Sequence, residues 1–201
     1  MSREPWLWLL AGPNGAGKST CVATLYDLSP EIEEVVNPDD IARSLLPEAP
    51  EKAALKAGRL ARQRVGELLK ERRSFGVETT LSGQLHLQDV KRAKSEGWNV
   101  GLMYVGLDGP DLAIERVRVR TLAGGHHVPA DDVLRRYERS LINLRVIYQI
   151  ADSVVVLDNS STKPERVVTV DKGEVTFKAP KLPTWVTRSL GSLIASSPKK
   201  S

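Results

Sequence analysis

The sequence predicts an α/β fold in which a mainly parallel sheet is flanked by helices on both sides. Apolar runs of strand length alternate along the chain with longer segments of helical periodicity, as they do in successive β-α-β crossovers. The run at 100–107 is almost wholly apolar, which is typical of a parallel strand buried on both faces. The composition, 41% hydrophobic and 27% charged over 201 residues, is that of an ordinary globular domain.

Each element follows from the local pattern. Central strands are predicted at 6–10, 34–37, 74–80, 100–107 and 153–158. Helices are predicted at 18–27, 41–46, 51–73, 85–97, 112–122 and 131–150, where Pro30, Pro47 and Gly97 stop three of them. The helix at 51–73 is amphipathic, and the side chains expected to face the core are Leu55, Leu60, Val65, Leu68 and Leu69. Residues 167–170 and 174–177 predict a C-terminal hairpin at the edge of the sheet.

The first strand runs into a complete G-x-x-x-x-G-K-S/T sequence, which is that of a phosphate-binding loop. The residues predicted to hold the nucleotide are Gly12, Pro13, Asn14, Gly15, Ala16, Gly17, Lys18, Ser19 and Thr20. The glycines let backbone N–H groups curl around phosphate oxygens, and the next helix points its positive end at them. Lys18 is predicted to reach the β- and γ-phosphates and to act in catalysis, and Ser19 to bind Mg²⁺. We therefore expect a three-layer P-loop NTPase fold that uses ATP and Mg²⁺.

Polar side chains follow the second and third strands, at the edge of the sheet where ligands of such folds bind. Asp39 and Asp40 come after the second strand, and Glu78 and Thr80 end the third. Transfer of a phosphoryl group to a hydroxyl needs a carboxylate that takes the hydroxyl proton. We expect Asp39 to be that catalytic base and Asp40 to cap the following helix. Glu78, Thr79 and Thr80 are expected to bind the acceptor hydroxyls or the outer-shell waters of Mg²⁺.

Arginines cluster in a segment, 116–136, that is predicted to form a short lid over the phosphates. Arg120 and Arg136 are the predicted catalytic cations, whereas Arg118 is expected to face solvent because it lies off the face that Arg116 and Arg120 share. Two glycines, at 124 and 125, predict a hinge, and the two histidines that follow have no third ligand at zinc spacing.

Charge and cysteine content bear on partners and compartment. The net charge is +4, but residues 179–201 hold four basic and no acidic residues, so the rest of the chain is balanced. This balance argues against a nucleic-acid-binding face. It also separates a P-loop kinase domain, 1–178, from a basic C-terminal tail, 179–201. The tail is expected to form a terminal helix docked on the body of the protein or a frayed end. The lone cysteine, Cys21, and the absence of a long apolar segment predict a cytoplasmic protein with no membrane span.

Two other interpretations start from the same loop. An ABC-type ATPase favours this form of the loop, and Leu81–Ser82–Gly83–Gln84 resembles its signature with one glycine missing. The strand at 100–107 ends in Asp108–Gly109 rather than Asp-Glu, so we expect 81–84 to be the loop after the third strand instead. A nucleotide-dependent switch that hydrolyses ATP without an acceptor also remains open.

The chain resembles the zeta-toxin family of P-loop kinases, through the motifs at 12–20, 37–43, 75–83, 124–129 and 135–137. The resemblance implies an ATP- and Mg²⁺-dependent kinase in which Asp39 is the base, Glu78 and Thr80 contact a small hydroxyl acceptor, and arginines near Arg120 and Arg136 cover the phosphates. Better-known members phosphorylate the sugar 3′-hydroxyl of UDP-N-acetylglucosamine and are held by an antitoxin. An amino-sugar nucleotide as acceptor and an antitoxin as partner are therefore implied by the resemblance.

Overall fold

The structure, a computed structural model, describes residues 4–125 and 128–197 of the chain. In these residues seven strands form one sheet in the order β2-β3-β1-β4-β5-β6-β7. Their bounds are β1 Trp6–Ala11, β2 Val35–Val36, β3 Phe75–Thr79, β4 Asn99–Gly106, β5 Ser153–Asp158, β6 Glu165–Asp171 and β7 Glu174–Lys178. The first five strands are parallel, and β6 and β7 form the antiparallel edge hairpin, as the sequence predicts.

Seven α-helices pack on this sheet within the described residues. They are α1 Val22–Leu28, α2 Pro38–Leu45, α3 Pro50–Glu71, α4 Leu85–Ser95, α5 Pro110–Leu122, α6 Ala130–Ile150 and α7 Thr184–Ser196, and a short 3-10 turn at Lys18–Cys21 precedes α1. Alternate residues of β1 enter two cores: Leu7 and Leu9 lie with α3, α4 and α7, whereas Trp8 and Leu10 lie with α1 and α5. Helices therefore cover both faces, which confirms the predicted three-layer fold.

The register brings the carboxyl ends of three strands to one place. Leu10 of β1 lies beside Glu78 of β3, and Ala11 lies beside Tyr104 of β4. The phosphate-binding loop leaves β1 at this point, so the end of β3 and the loop start are neighbours. The segment at 81–84 is the loop between β3 and α4, as predicted, and Asn143 of α6 donates to the carbonyl oxygen of Leu81 at 2.7 Å.

The inner face of α3 matches the prediction at Val65, Leu68 and Leu69, which are buried, but differs from it at Leu55 in the first half of the helix. Leu55 is 73% exposed, whereas the buried positions in that part of the helix are Ala53, Ala57 and Ala61. Ala53 and Ala57 pack against Ala42 of α2. Small side chains let the two helices approach closely, so the alanine stripe rather than the larger leucine faces inward.

The C-terminal residues 184–196 form α7, which docks on the body of the protein. Trp185 is buried, packs at 5.8 Å between ring centroids against Tyr104, and donates through Nε1 to the carboxylate of Asp158 at 2.7 Å. Gly106 leaves room for the indole, since a Cβ there would collide with the ring. The helix is thus part of the core on its side of the sheet.

Candidate active site

The phosphate-binding loop has the backbone that its glycines allow. Gly15 and Gly17 have φ of 75° and 82°, a region that favours glycine, and Gly17 forms the entry to the 3-10 turn. At Gly12 a Cβ would collide with the carbonyl oxygen of Val105, and at Gly17 it would lie 2.6 Å from Nδ2 of Asn159. The loop is therefore packed closely against the neighbouring strand ends, with its concave side toward the open edge of the sheet.

Lys18 is the buried charge around which the site is built. Its side chain is enclosed, and its ammonium donates to the carbonyl oxygen of Pro13 at 3.2 Å. Burial lowers the pKa of Lys18, while the carboxylates of Glu78 and Asp39 raise it and Arg120 lowers it. Asp39, Glu78 and Arg120 thus all lie within electrostatic reach of this ammonium.

Glu78 sits against the loop rather than away from it. Its two carboxylate oxygens accept from the Ser19 hydroxyl at 3.3 and 3.2 Å, and one accepts from Nδ2 of Asn37 at 3.1 Å. Burial raises the pKa of Glu78, and Lys18 opposes that rise. A serine hydroxyl beside a carboxylate is the oxygen-rich surrounding that Mg²⁺ prefers.

Asn37 sets the position of the two aspartates. It is the N-cap of α2, and its side-chain oxygen accepts from the backbone N–H of Asp39 at 2.9 Å. The prediction that Asp40 caps this helix is wrong: Asp40 lies in the first turn and pairs with Arg43, because Pro38 occupies the first helical position and moves the cap back to Asn37. Asn37 therefore joins the carboxylate of Glu78 to the start of the helix that carries Asp39.

Asn159, at the end of β5, is a site residue to which the sequence assigned no role. It is buried, and its Nδ2 donates to the carbonyl oxygen of Ala16 at 2.9 Å. The only sequence signal was its place just beyond a strand end. Asn37 carried a stronger signal, since an asparagine before Pro-Asp-Asp is a typical helix start.

The lid arginines are not all equivalent. Arg120 lies within electrostatic range of Lys18, whereas Arg136 lies 3.8 Å from Asp132 on its own helix, and Arg116 donates to the carbonyl oxygen of Ser161 at 3.1 Å. Arg118 pairs with Glu115 with 61% of its side chain exposed, as predicted. The catalytic assignments of Arg120 and Arg136 remain predictions, and the two histidines at 126 and 127 lie outside the described residues.

A cavity of about 560 Å³ lies between the end of α2, the start of α3 and the two glycines at 124 and 125. Asp39 lines it, and so do Gly124 and Gly125. Thr80 is half-buried, and its hydroxyl shares a hydrogen bond of 2.9 Å with that of Ser82. Thr80 is therefore held by its own loop, and its contact with an acceptor stays a prediction.

The residues present fit a nucleoside triphosphate and a magnesium ion. At Gly12, Gly15 and Gly17 a Cβ would collide with neighbouring atoms, so the loop can pack this closely only with glycine there, and Oδ1 of Asn14 is buried without a hydrogen-bond partner among the described residues. The buried Lys18 ammonium supplies positive charge for phosphate oxygens, and Ser19 and Glu78 supply oxygen ligands. Fold and site together define a P-loop kinase-like nucleotide-binding protein.

Comparison with known proteins places the chain within that class. The sequence profile of the Zeta toxin family matches residues 1–171, so the chain belongs to the zeta-toxin family. An uncharacterized protein of Haemophilus influenzae is 35% identical over 126 residues, which are 63% of this chain and 88% of that protein.

Two solved structures show the same fold at low sequence identity. One is from the PezAT chromosomal toxin-antitoxin system of Streptococcus pneumoniae, with a TM-score of 0.60 and 18% identity over 79% of this chain and 69% of that one. The other is the AvrRxo1-ORF1:-ORF2 complex with ATP, with a TM-score of 0.69 and 17% identity over 98% of this chain and 65% of that one. In the described part of this chain, no helix combines the length and apolar character that a membrane crossing requires.

Proposed function

We propose that the protein is an ATP- and Mg²⁺-dependent kinase that transfers the γ-phosphate to a hydroxyl group of a small acceptor. The arrangement that supports this most strongly is that of Asp39 and Glu78, which both lie within electrostatic range of the buried Lys18 ammonium, with Glu78 also accepting from the Ser19 hydroxyl of the loop. A loop that only held a nucleotide would not need a further carboxylate in that position facing an open cavity. Asp39 lies within electrostatic range of Lys18 and also lines that cavity.

In the proposed mechanism, the nucleotide lies in the glycine cradle with its terminal phosphates at Lys18. Ser19 would bind Mg²⁺ directly and Glu78 through water, and the ion supplies charge neutralisation for the β- and γ-phosphate oxygens when bound. The acceptor occupies the cavity with its hydroxyl toward Asp39. In this proposal Glu78 helps to hold Mg²⁺, and Thr80 contacts the acceptor.

Asp39 takes the proton of the acceptor hydroxyl at its carboxylate while the hydroxyl oxygen bonds to the γ-phosphorus. The bond between that phosphorus and the β,γ-bridging oxygen breaks, and ADP leaves with the bonding electrons. Arg120 and Lys18 stabilise the charge on the transferring group, and Arg136 joins them when the lid closes.

The test is the fate of the γ-phosphate. The purified protein is incubated with γ-labelled ATP, Mg²⁺ and a pool of small metabolites, and the products are separated by mass spectrometry. Label on an organic acceptor is the expected result. Release of label only as inorganic phosphate would contradict the kinase assignment and favour a hydrolytic switch.

We also propose that a partner protein restrains this kinase in the cell. The family membership and the likeness to a protein of a toxin-antitoxin system support the proposal. Expression of the wild-type chain is expected to slow growth of its host, expression of Lys18→Ala is not, and the product of an adjacent reading frame is expected to relieve the effect. Normal growth with the wild-type chain alone would contradict it.

A further inference from the structure

The cavity beside Asp39 carries a charge pattern that narrows the acceptor. Three of its lining residues are carboxylates, Asp39, Glu48 and Glu51. Among the described lining residues the cation is Arg43, and its guanidinium is paired with the carboxylate of Asp40. The described wall of the cavity is therefore net negative at neutral pH.

The groups around Lys18 and the rest of the cavity wall differ in charge. Around Lys18, the cations Lys18 and Arg120 are matched by the carboxylates of Asp39 and Glu78. Glu48 and Glu51 line the cavity where α2 ends and α3 begins. Gly125 also lines the cavity, and its N–H donates to the carbonyl oxygen of Arg120 at 2.9 Å, so the cavity adjoins the groups around Lys18.

The negative charge of this wall determines which acceptors are bound favourably. A phosphate or diphosphate on the acceptor would be repelled by Glu48 and Glu51, and like charges about 4 Å apart repel by about 1–4 kcal/mol in water or near a protein surface. A protonated amine in the same place would form charge-assisted hydrogen bonds with those carboxylates. A volume of about 560 Å³ accommodates a ligand of one or two sugar rings.

We infer that the acceptor is a hydroxylated compound bearing a protonated amine, such as an amino alcohol, an amino sugar or an aminocyclitol, rather than a nucleotide sugar. The inference rests on the kinase function proposed above and specifies its substrate class. Asp39 activates the hydroxyl, and Glu48 with Glu51 binds the amine. The diphosphate acceptor that the family resemblance implies would have the wrong charge for this wall.

The experiment separates the acceptor pool by charge. A small-metabolite extract is divided at pH 7 into the fractions retained by a cation exchanger, retained by an anion exchanger, and retained by neither, and each is incubated with the wild-type protein, Mg²⁺ and γ-labelled ATP. Label on a compound of the cation-exchanger fraction is expected. Label on a compound of either other fraction, with none in the cationic one, would overturn the inference while leaving the kinase intact, and free phosphate alone in all three would overturn the kinase itself.

Variants then test the wall directly with the labelled cationic compound. The double variant Glu48→Gln with Glu51→Gln is expected to lower kcat/KM for that acceptor at least about tenfold, the effect of one lost charge-assisted contact, with the KM for ATP unchanged. The matched control is Glu174→Gln in the β6–β7 hairpin, whose turn contacts residue 152 at the opposite end of the sheet. An unchanged kcat/KM in the double variant would overturn the inference.

Discussion

The side chain of Asn159 donates a hydrogen bond to the carbonyl oxygen of Ala16 at 2.9 Å, joining residues 143 positions apart in the chain. Its own backbone N–H donates to the carbonyl oxygen of Gly106, also at 2.9 Å. The end of β5 is thus tied to the end of β4 and, through the side chain, to the middle of the phosphate-binding loop. The side chain of Asn159 therefore supports the phosphate-binding loop.

Replacing this support should weaken nucleotide binding. In Asn159→Ala the buried carbonyl oxygen of Ala16 loses its partner, a cost of about 1–3 kcal/mol, and the loop relaxes. We expect the Kd for ATP, measured by calorimetry, to rise about tenfold. Asn99→Ala is the control, because Asn99 donates to Glu4 at the opposite end of the sheet. Equal Kd values in the two variants would show that Asn159 is not needed to hold the loop.

The adjacent aspartates allow a sharp test of the base. Asp39→Asn removes the proton acceptor without changing shape, so phosphoryl transfer should fall by about 10²-fold or more while ATP binding stays nearly intact. Asp40→Asn is the matched control, since Asp40 is 61% exposed and pairs with Arg43. Rates of transfer and Kd for ATP are measured on both variants. Transfer by Asp39→Asn at the wild-type rate would remove Asp39 from the mechanism.

Glu78 should make stability depend on pH in a particular direction. Its pKa in the folded protein is raised by burial, so the folded state disfavours the charged carboxylate and stability is lower above that raised pKa. As the pH falls from neutral toward about 4.5, the ordinary pKa of a glutamate in the unfolded chain, Glu78 becomes protonated in the folded protein and the cost of burying its charge disappears. Glu78→Gln has no such titration, so the stability of the wild type relative to the variant should increase as pH falls.

Urea unfolding of both proteins between pH 7.5 and 4.5 measures this difference without nucleotide. Protonation also removes the negative charge with which Glu78 would hold the waters of Mg²⁺, so the affinity of the wild type for Mg²⁺-ATP should fall over the same pH range in which its relative stability rises. A constant difference between the two proteins, or one that changes with the opposite sign, would contradict the assignment of Glu78 as a buried and charged side chain.

The features that the sequence predicted correctly are encoded locally. The strand pattern, the glycine loop and the order of elements depend on neighbours in the chain, and the position of Asp39 beside Lys18 follows from two strand ends in a parallel sheet. The contact of Asn159 with Ala16 and that of Asn37 with Glu78 join partners 143 and 41 residues apart, so no local pattern reveals these two contacts, although the place of Asn37 at a helix start is locally encoded.

The error at α3 has a similar cause. Periodicity alone identifies a leucine stripe and an alanine stripe on that helix, and hydrophobicity favours Leu55 for the core. The choice is made by α2, whose Ala42 permits close approach only to small residues, and Leu55 is consequently 73% exposed. The buried stripe of α3 can therefore be predicted only when the helix that packs against it is known.

Trp185 stabilises the docking of α7 both by packing and by a hydrogen bond, and two substitutions separate these two contributions to the free energy of unfolding. Trp185→Ala removes an indole that fills the space over Gly106 and contacts Tyr104, so the free energy of unfolding should fall by about 3–5 kcal/mol. Trp185→Phe keeps most of the ring and loses the bond to Asp158, for a smaller loss of about 1–2 kcal/mol.

Leu55→Ala is the control for these two variants, because an exposed leucine should change the free energy of unfolding by less than about 0.5 kcal/mol. Asp158 is followed directly by Asn159, which holds the phosphate-binding loop through Ala16. Loss of the bond from Trp185 to Asp158 should therefore also loosen the loop. We expect Trp185→Phe to weaken ATP binding measurably, although Trp185 lies on the terminal helix. Denaturation by urea gives the stabilities and calorimetry gives the ATP affinities. If Trp185→Ala were no less stable than Leu55→Ala, α7 would not belong to the folded core in solution.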